Sequence, residues 1–397
     1  MPLPAAFAIN PSVHKIPLNL TLPNRESGFS FLARNFVAQD DRFPSAFGIL
    51  EKAIAAHAFP GCSLAVTFHG ELVAHKALGG FTYDPASPEV TTVSIFDLAS
   101  LTKVVATTTM AMILYERGLL DLEAAVTAIV PEFADVSDGH DSRRRQITLR
   151  MLLAHSSGLP AYEKLFLRAK TREDLLQAAF TTQLGAVPGA RAEYSDIGFI
   201  ILGVVLERLA DECLDLFCQR EIFGPLGMTH TTFSPASALK DSIPPTADDR
   251  TFRHRIIQGE VQDENASVLG GIATHAGLFS TAEDLAIFAH AMLNGGHPIL
   301  RSSTVELFSR REPAPEGTSR ALGWDTPSAP SQSGKYFSPR SFGHLGYTGT
   351  SLWIDPERQL SISLLTNRTW PDCQNQAIKQ VRPAFHDAVI EALRKQA

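Results

Sequence analysis

Apolar residues recur at helical spacing in several long stretches of this 397-residue chain. Residues 45–59, "SAFGILEKAIAAHAF", have the periodicity of a helix that buries one face. The last stretch, 375–396, has the pattern of an amphipathic helix, and Pro383 is expected to kink or break it. The same pattern predicts helices throughout the middle of the chain, at 100–117, 148–155, 172–180, 196–210, 212–222 and 282–294.

Strand patterns lie towards the two ends of the chain. Residues 61–80 have the pattern of two strands joined at His69-Gly70, and "SLWIDP" and "LSISLLTNRT" have strand patterns near the C-terminus. The sequence therefore predicts an α+β fold, in which an antiparallel sheet from both chain ends is flanked by N- and C-terminal helices. The expected division is an extended, proline-punctuated arm at 1–43, a sheet domain from 44–98 and 311–397, and an inserted mainly helical domain at 99–310.

Charge and composition exclude some classes of function. The net charge of −7 gives no indication of a nucleic-acid surface, and the cluster Arg143-Arg144-Arg145 is interpreted as a solvated loop. The four cysteines form no C-x-x-C pair and are interpreted as free, buried thiols. No H-E-x-x-H, Walker A or G-x-G-x-x-G sequence is present, so neither a metal nor another cofactor is expected. No apolar run is long enough for a membrane span. The N-terminus has no recognisable signal peptide, and the compartment and the oligomeric state stay open.

One serine and one lysine stand at the start of a long apolar stretch, in "FDLASLTKVVATTTM". Ser100 and Lys103 would share one face of a helix, and burial would lower the pKa of the lysine so that it can activate the serine. S-x-x-K is a weak motif by itself, since Ser12-Lys15 and Ser237-Lys240 also form it. Only the sequence at Ser100 opens a long apolar helix.

Two further stretches contain residues suited to the same chemistry. "EYSDIGF" places Tyr194 before another apolar helix, where a nearby ammonium group would lower the pKa of the phenol and make it a base. Asp196, in the same stretch, is a plausible N-cap. "SFGHLGYTGTSLWIDPE" is rich in glycine, which inside a strand often marks close approach of another backbone or a ligand.

Together, "SLTK", "YSD" and "HLG" resemble, in order, the S-x-x-K, Y-x-N and K-T-G or H-x-G motifs of the serine β-lactamase and penicillin-binding protein superfamily. The branch of class C β-lactamases, family VIII esterases and D-aminopeptidases is the most similar. The resemblance runs from about residue 45 to the C-terminus, with flanking stretches such as "ITLRMLLAHSSGLP". It implies an active site in the cleft between the sheet domain and the helical domain.

The resemblance also implies a role for each matching residue. Ser100 would be acylated, Lys103 would help to deprotonate it and would lower the pKa of Tyr194, and Tyr194 would act as base and acid. The backbone N–H groups of Ser100 and Tyr347 would form the oxyanion hole. The residues that would contact the substrate are Asp196, His344, Gly346 and Tyr347.

This chain departs from the family pattern at two positions. Asp196 replaces asparagine, and an ionised carboxylate cannot donate a hydrogen bond to a substrate but can pair with Lys103. His344 replaces lysine, and a mostly neutral imidazole is a poor anchor for a carboxylate. We therefore expect an ester or a D-amino-acid peptide or amide as substrate. The alternatives are a true β-lactamase, a D-Ala-D-Ala carboxypeptidase, or a non-catalytic module that binds peptidoglycan fragments or a partner protein.

Other residues have structural interpretations that compete with functional ones. His155 and His275 lie among small or apolar residues and are expected to be hydrogen-bonded structural histidines. Glu264 or Asn265 could line the cleft or stabilise a loop. Trp324 could form a wall of the pocket, as could Trp353, for which core packing is the better interpretation.

Overall fold

A six-stranded sheet is the central element of the computed structural model of this chain, which describes residues 32–134 and 141–395. Its strand order is β1-β3-β2-β11-β10-β9, and every pairing is antiparallel except that of β1 with β3. A three-stranded sheet (β4-β8-β5) and a two-stranded sheet (β6-β7) complete the strands of the described residues. The strands are β1 (Ala33–Arg34), β2 (Gly61–Phe68), β3 (Glu71–Gly79), β4 (Phe96–Asp97), β5 (Thr232–Phe233), β6 (Ala247–Asp249), β7 (Arg255–Ile257), β8 (Leu278–Ser280), β9 (Phe342–Leu345), β10 (Ser351–Asp355) and β11 (Leu360–Thr366).

Most helices lie in the part of the sequence between β3 and β9, which separates the N-terminal and C-terminal strands of the large sheet. The α-helices are α1 (Gln39–Arg42), α2 (Pro44–Ala55), α3 (Thr109–Glu116), α4 (Val126–Ile129), α5 (Leu149–Leu153), α6 (Arg172–Thr181), α7 (Asp196–Ala210), α8 (Leu214–Cys218), α9 (Gly224–Leu226), α10 (Glu264–Val268), α11 (Ala282–Leu293), α12 (Ser302–Ser309) and α13 (Ile378–Arg394). The arrangement confirms the predicted α+β fold class. None of the helices formed by the described residues is both long and apolar enough to cross a bilayer.

The two faces of the large sheet pack against different helices. On one face, Leu64, Ile362 and Trp353 form a core with apolar residues of α2 and α13. The opposite face of β2 and β11 presents small residues, and Ser363 contacts the first carbonyl of α11. Small side chains there let the alanine-rich α11 approach the sheet closely.

The helix α13 does not break at its proline. It begins at Ile378 and continues past Pro383 to Arg394, with apolar residues such as Phe385 and Val389 buried. Pro383 lies near the start of the helix, where it removes a single intrahelical hydrogen bond. Burial of the apolar face over the remaining turns exceeds this cost, so the predicted break is wrong.

The structure contradicts, in part, two predictions made from composition. The interpretation of the arginine cluster as solvated is wrong for Arg144, which is buried and donates hydrogen bonds of 2.6 and 2.5 Å to the carbonyls of Phe180 and Thr182. All four cysteines are free, but only Cys62 and Cys218 are buried.

The predicted domain boundaries at 98/99 and 310/311 stay a prediction. Residues 1–31 of the predicted arm lie outside the described residues, and residues 32–43 contain β1 and α1. Part of the predicted helical domain covers the sheet, because α11 packs on β2, β10 and β11. Residues 311–340, whose proline, serine and glycine content predicts a long loop, contain no helix or strand.

Candidate active site

Ser100 lies in an irregular segment between a strand and a helix. The chain leaves β4, forms a single 3-10 turn over Ala99–Leu101, continues as a π-helix over Lys103–Thr108 and only then becomes α3. This differs from the regular α-helix predicted from residue 100. Single π-helical turns inside longer helices are common at functional sites.

The residue before the serine has an unusual backbone conformation. Ala99 has a φ of 47°, in the left-handed region that costs a residue with a Cβ about 1–2 kcal/mol. The buried carboxylate of Asp97 holds this turn, since Oδ1 accepts the Ala99 N–H at 2.8 Å and Oδ2 accepts the Gln262 N–H at 2.6 Å. Burial raises the pKa of Asp97 to about 6. Asp97 therefore positions the segment that carries Ser100.

Lys103 is fully buried and makes three hydrogen bonds. Its Nζ lies 3.1 Å from Ser100 Oγ, 2.6 Å from Asp196 Oδ1 and 2.9 Å from the carbonyl oxygen of His275. These three contacts use all the hydrogen-bonding capacity of an ammonium group. The buried environment is the one that the apolar sequence after Lys103 predicts.

Tyr194 approaches the serine from the start of α7. Its hydroxyl donates to Ser100 Oγ at 2.7 Å. His155 supports this position, since Nδ1 accepts the Ser195 N–H at 3.0 Å and the imidazole packs 4.8 Å from the Tyr194 ring. Accepting through Nδ1 requires a neutral imidazole, and burial holds the pKa of His155 well below its ordinary value.

Asp196 is not the N-cap of α7. The N-cap is Ser195, whose hydroxyl accepts the Gly198 N–H at 3.0 Å, and Asp196 is the first helical residue. The Asp196 carboxylate is thereby free to pair with Lys103. The capping role was plausible because aspartate is common at N-caps, but a serine one residue earlier fills it.

Burial moves the pKa values of the lysine and the tyrosine in opposite directions. It lowers the pKa of Lys103, and the charge of Asp196 opposes this shift. Burial, together with the charge of Asp196, raises the pKa of Tyr194 well above its ordinary value. The raised pKa of Tyr194 is the opposite of the lowering expected from Lys103, and Lys103 is not among the main causes of the shift. The ammonium nitrogen lies 4.8 Å from the centre of the phenol ring, and its hydrogen bonds go to other groups.

His344 lies on β9 beside this group. The imidazole ring centre is 5.9 Å from that of Tyr194, and Nδ1 lies 2.8 Å from the Leu345 carbonyl. Burial and the charge of Lys103 hold the pKa of His344 well below its ordinary value. His344 is therefore neutral, as the sequence argument requires.

The turn after β9 is tied to the backbone that precedes Ser100. Thr348 Oγ1 donates to the Asp97 carbonyl at 2.8 Å, and Thr350 Oγ1 donates to the Leu98 carbonyl at 2.9 Å. At Gly346, a Cβ would lie 2.5 Å from the Leu98 carbonyl oxygen, so only glycine permits this approach. The N–H groups of Ser100 and Tyr347 donate no hydrogen bond to any other described residue.

Nothing in the sequence indicates a role for Arg320 at this site. It lies in the 311–340 loop, yet its guanidinium carbon is 5.6 Å from the centre of the Tyr194 ring. A single arginine before "ALGW" does not form a recognisable motif, so its proximity to the site is visible only in the structure. Asp97 was also missed, although it immediately precedes the "LASLTK" stretch.

Most of the other residues for which a functional role was considered have structural roles. His275 is buried, with Nε2 3.0 Å from Asp263 Oδ1. The buried Asn265 bonds the backbone of Phe166 and Glu163, which stabilises a loop. Trp324 does not form a wall of the pocket as predicted, since it is buried against Phe288 and Phe342. Trp353 belongs to the core, as expected. Ser237 lies in an exposed 3-10 turn. Glu264 is half-buried, and Ser12-Lys15 lies outside the described residues.

A metal site has no obvious ligands in the described part of the chain. Residues 32–134 and 141–395 contain no group of three or more His, Cys, Asp or Glu side chains placed to hold a metal ion.

Comparisons with known proteins agree with one another. The Beta-lactamase family model matches residues 46–382. An N-acetylmuramyl-L-alanine amidase of Bacillus subtilis (strain 168) is 32% identical over 353 residues, which cover 81% of this chain and 79% of that protein. A putative D-alanyl-D-alanine carboxypeptidase of Salmonella typhimurium is 32% identical and covers 78% of this chain and 79% of the relative. Among solved structures, EstCE1, a hydrolase with promiscuous acyltransferase activity, has a TM-score of 0.72 at 22% identity, over 88% of this chain and 99% of its own.

Proposed function

Because this chain belongs to the β-lactamase family and is a serine hydrolase, we propose that it cleaves ester or amide bonds through an acyl-enzyme formed on Ser100. The observation that carries the proposal is the pair of contacts at the serine oxygen. Ser100 Oγ lies 3.1 Å from Lys103 Nζ and 2.7 Å from the Tyr194 hydroxyl. A serine needs an adjacent base to become a nucleophile, and this geometry supplies one within hydrogen-bonding distance.

Lys103 is the better candidate for that base. A neutral amine has two protons and one lone pair, and Asp196 Oδ1 and the His275 carbonyl accept two hydrogen bonds from Nζ. The lone pair would then face Ser100 Oγ. The lowered pKa of Lys103 favours this neutral form, whereas the raised pKa of Tyr194 opposes a phenolate. The two groups titrate as a coupled pair.

The proposed acylation step moves two protons. Ser100 Oγ attacks the substrate carbonyl as its proton passes to Lys103 Nζ, and the tetrahedral intermediate forms. The bond to the leaving group then breaks as the Tyr194 hydroxyl gives its proton to the departing oxygen or nitrogen. Transfer of a proton from Lys103 restores the phenol. In deacylation, water attacks the acyl-enzyme carbonyl as one of its protons passes to Lys103 Nζ. The bond to Ser100 Oγ then breaks, and Ser100 Oγ takes a proton back from Lys103 Nζ.

The oxyanion would be held by backbone donors. The N–H groups of Ser100 and Tyr347 have no partner among the described residues. Their two segments are linked by the Thr348 and Thr350 hydrogen bonds and by the close approach of Gly346. Preorganised N–H donors of this kind stabilise the developing negative charge without reorganisation.

The substrate class follows in part from the relatives. They are named as an amidase and a putative D-alanyl-D-alanine carboxypeptidase, which supports an amide or peptide substrate. A structural neighbour is described as a hydrolase with acyltransferase activity, which leaves esters open. A non-catalytic binding module has less support, because Ser100, Lys103 and Tyr194 are mutually hydrogen-bonded or in contact.

The first test compares Ser100→Ala with Ser237→Ala on p-nitrophenyl acetate and butyrate. Ser237 is the serine of the second S-x-x-K sequence and is exposed, so it provides a matched control. We expect Ser100→Ala to lower kcat/KM about a thousandfold or more and Ser237→Ala to leave it unchanged. Retained turnover by folded Ser100→Ala would contradict the proposal.

A further inference from the structure

A buried arginine on α13, Arg382, contacts the turn that follows β9. Its side chain belongs to a residue that is only 4% exposed. Nη2 donates a hydrogen bond of 2.9 Å to the Gly346 carbonyl, and Nε donates one of 3.3 Å to the Gly349 carbonyl. The C-terminal helix therefore places a guanidinium group against the turn that borders the candidate active site.

The Gly346 carbonyl belongs to the same peptide group as the Tyr347 N–H, one of the two proposed oxyanion donors. This peptide bond is trans, and in a planar trans peptide the C=O and the N–H point in opposite directions. Arg382 binds the carbonyl end, while the N–H end donates no hydrogen bond to any other described residue. The contact therefore fixes the direction of the Tyr347 N–H, which points away from Arg382.

The hydrogen-bonding needs of the turn do not explain an arginine at this position. The Gly346 carbonyl already accepts the Gly349 N–H at 3.1 Å. Arg382 forms no ion pair with a carboxylate of residues 32–134 and 141–395. Burial and then the charge of Arg368 lower the pKa of Arg382 to about 9, so the guanidinium stays charged at neutral pH. A buried charge without a counterion costs free energy that an apolar side chain of similar length would avoid.

A second arginine holds the other side of Tyr347. Arg368 Nε donates to the Tyr347 carbonyl at 2.7 Å, and Nη1 donates to the Cys373 and Asn375 carbonyls at 3.2 Å. The peptide groups before and after the Tyr347 Cα are thus both held through their carbonyls. Of the two arginines, Arg382 is the one that binds the peptide group containing the Tyr347 N–H.

The other proposed oxyanion donor is held in a similar way. The Ser100 N–H shares its peptide group with the Ala99 carbonyl, which accepts the Thr102 hydroxyl at 2.7 Å. A hydrogen bond to a carbonyl polarises the amide and makes its N–H a stronger donor. Because a charged donor acts more strongly than a hydroxyl, the effect should be larger at Tyr347 than at Ser100.

We propose that Arg382 is a positioning residue of the oxyanion hole: by binding the Gly346 carbonyl it directs the Tyr347 N–H towards the substrate oxygen and polarises it. This inference rests on the proposed function. It assigns a role to a residue of α13 that lies outside the three sequence motifs. The benefit arises where negative charge develops, in the tetrahedral intermediates of acylation and deacylation.

The test measures kcat/KM for p-nitrophenyl acetate and the inhibition constant of phenylboronic acid. The boron of this inhibitor forms a tetrahedral adduct with a reactive serine and places an oxygen where the oxyanion would lie. We expect Arg382→Met to lower kcat/KM and the affinity for phenylboronic acid in parallel, each about ten- to a hundredfold, since loss of an oxyanion donor itself typically costs about 10²- to 10³-fold. Arg382→Lys keeps the charge and should recover part of both losses.

Arg144→Met is the matched control. Arg144 is also buried and also donates to two backbone carbonyls, those of Phe180 and Thr182. Its loss should lower the melting temperature and leave both active-site measurements unchanged. Equal losses in Arg144→Met and Arg382→Met would show a general structural effect and overturn the inference.

The remaining outcomes separate this inference from the proposed function. If folded Arg382→Met keeps the wild-type value of either quantity, Arg382 does not act on the oxyanion although the enzyme is a hydrolase. If the wild type neither hydrolyses the ester nor binds phenylboronic acid, the proposed function itself fails, and the inference with it. If Arg382→Met does not fold, Arg382→Lys decides, because an ammonium group lacks the fixed fork of the guanidinium. Parallel severalfold losses in Arg382→Lys would support the inference, and unchanged values would overturn it.

Discussion

The ammonium nitrogen of Lys103 lies 2.6 Å from Oδ1 of Asp196, and the lysine is completely buried. This ion pair sets the charge state of the proposed base. Burial favours the neutral amine, and the carboxylate favours the ammonium ion. The balance between the two determines the pH at which Ser100 becomes reactive.

Replacing Asp196 with asparagine should shift the pH dependence of the reaction. Loss of the negative charge lowers the pKa of Lys103, so the acid limb of the kcat/KM profile should move to lower pH, by about one unit or more. The measurement is the profile of p-nitrophenyl acetate hydrolysis. Asp211→Asn makes the same change at the exposed C-terminal end of α7 and should leave the profile in place. An unshifted or alkaline-shifted limb in Asp196→Asn would argue against Lys103 as the titrating base.

Removing the hydroxyl of Tyr194 should reduce activity most on substrates that have poor leaving groups. Tyr194→Phe deletes the proposed proton donor, which typically contributes about 10²- to 10⁴-fold when the leaving group needs protonation. We therefore expect a large loss with alkyl esters and amides and a much smaller loss with p-nitrophenyl esters, whose leaving group departs as an anion. The check is a series of esters with leaving groups of graded pKa. Equal losses across the series would instead indicate that Tyr194 activates the serine.

Adding one methyl group at Gly346 should disrupt the site. A Cβ there would lie 1.9 Å from Thr350 Oγ1 and 2.5 Å from the Leu98 carbonyl oxygen, so the turn after β9 must move away from Ser100. Gly346→Ala should lower kcat and destabilise the fold by about 1–3 kcal/mol. Gly48→Ala, within α2 and with no atom within 4 Å of the new Cβ, should instead be neutral or stabilising. Normal activity in Gly346→Ala would show that this close approach is dispensable.

Mild acid should destabilise the protein. Burial holds the pKa values of His155 and His344 well below normal and lowers that of His386 to about 3. Below about pH 6.5 the unfolded chain binds protons at these positions and the native protein does not, so the free energy of unfolding falls as the pH falls. Asp97, with its pKa raised to about 6, acts in the opposite direction between about pH 4 and 6.

Thermal unfolding at a series of pH values would measure this balance. Each histidine that stays neutral costs about 1.4 kcal/mol for every pH unit below its unfolded pKa. His386→Gln should flatten the decline of the melting temperature between about pH 7 and 5.5, because one of the three groups no longer titrates. A melting temperature that is constant or rises as the pH falls over this range would contradict the prediction.

The sequence predicted the elements whose apolar pattern is regular. The helices at 172–181 and 196–210 and the strands of residues 61–79 and 351–366 follow directly from periodicity. The irregular turn at Ser100 was not predictable, because Ala99 adopts its φ of 47° under constraint from Asp97, which no local pattern encodes. Pro383 is the opposite case. The proline predicts a break in the helix, but burial of the rest of α13 keeps the helix continuous.

The candidate site, too, could be predicted from the sequence only in part. Ser100, Lys103, Tyr194 and Asp196 are close in space, as the ordered motifs suggested, while their catalytic roles stay a prediction. The pKa of Tyr194 is raised, not lowered as expected, because it depends on how deeply the phenol is buried and on where Asp196 points, and neither is visible in sequence. Arg144 donates to two backbone carbonyls and Arg320 pairs with Asp325, and only tertiary structure distinguishes these two environments.

The central claim is that Ser100 becomes acylated, and intact-mass measurement of rapidly quenched enzyme during p-nitrophenyl acetate turnover tests it most directly. We predict one added acetyl group, assigned to Ser100 by peptide mapping, and greatly slowed labelling in Lys103→Ala. An acetyl group on another residue, or the same adduct in Ser100→Ala, would contradict the account.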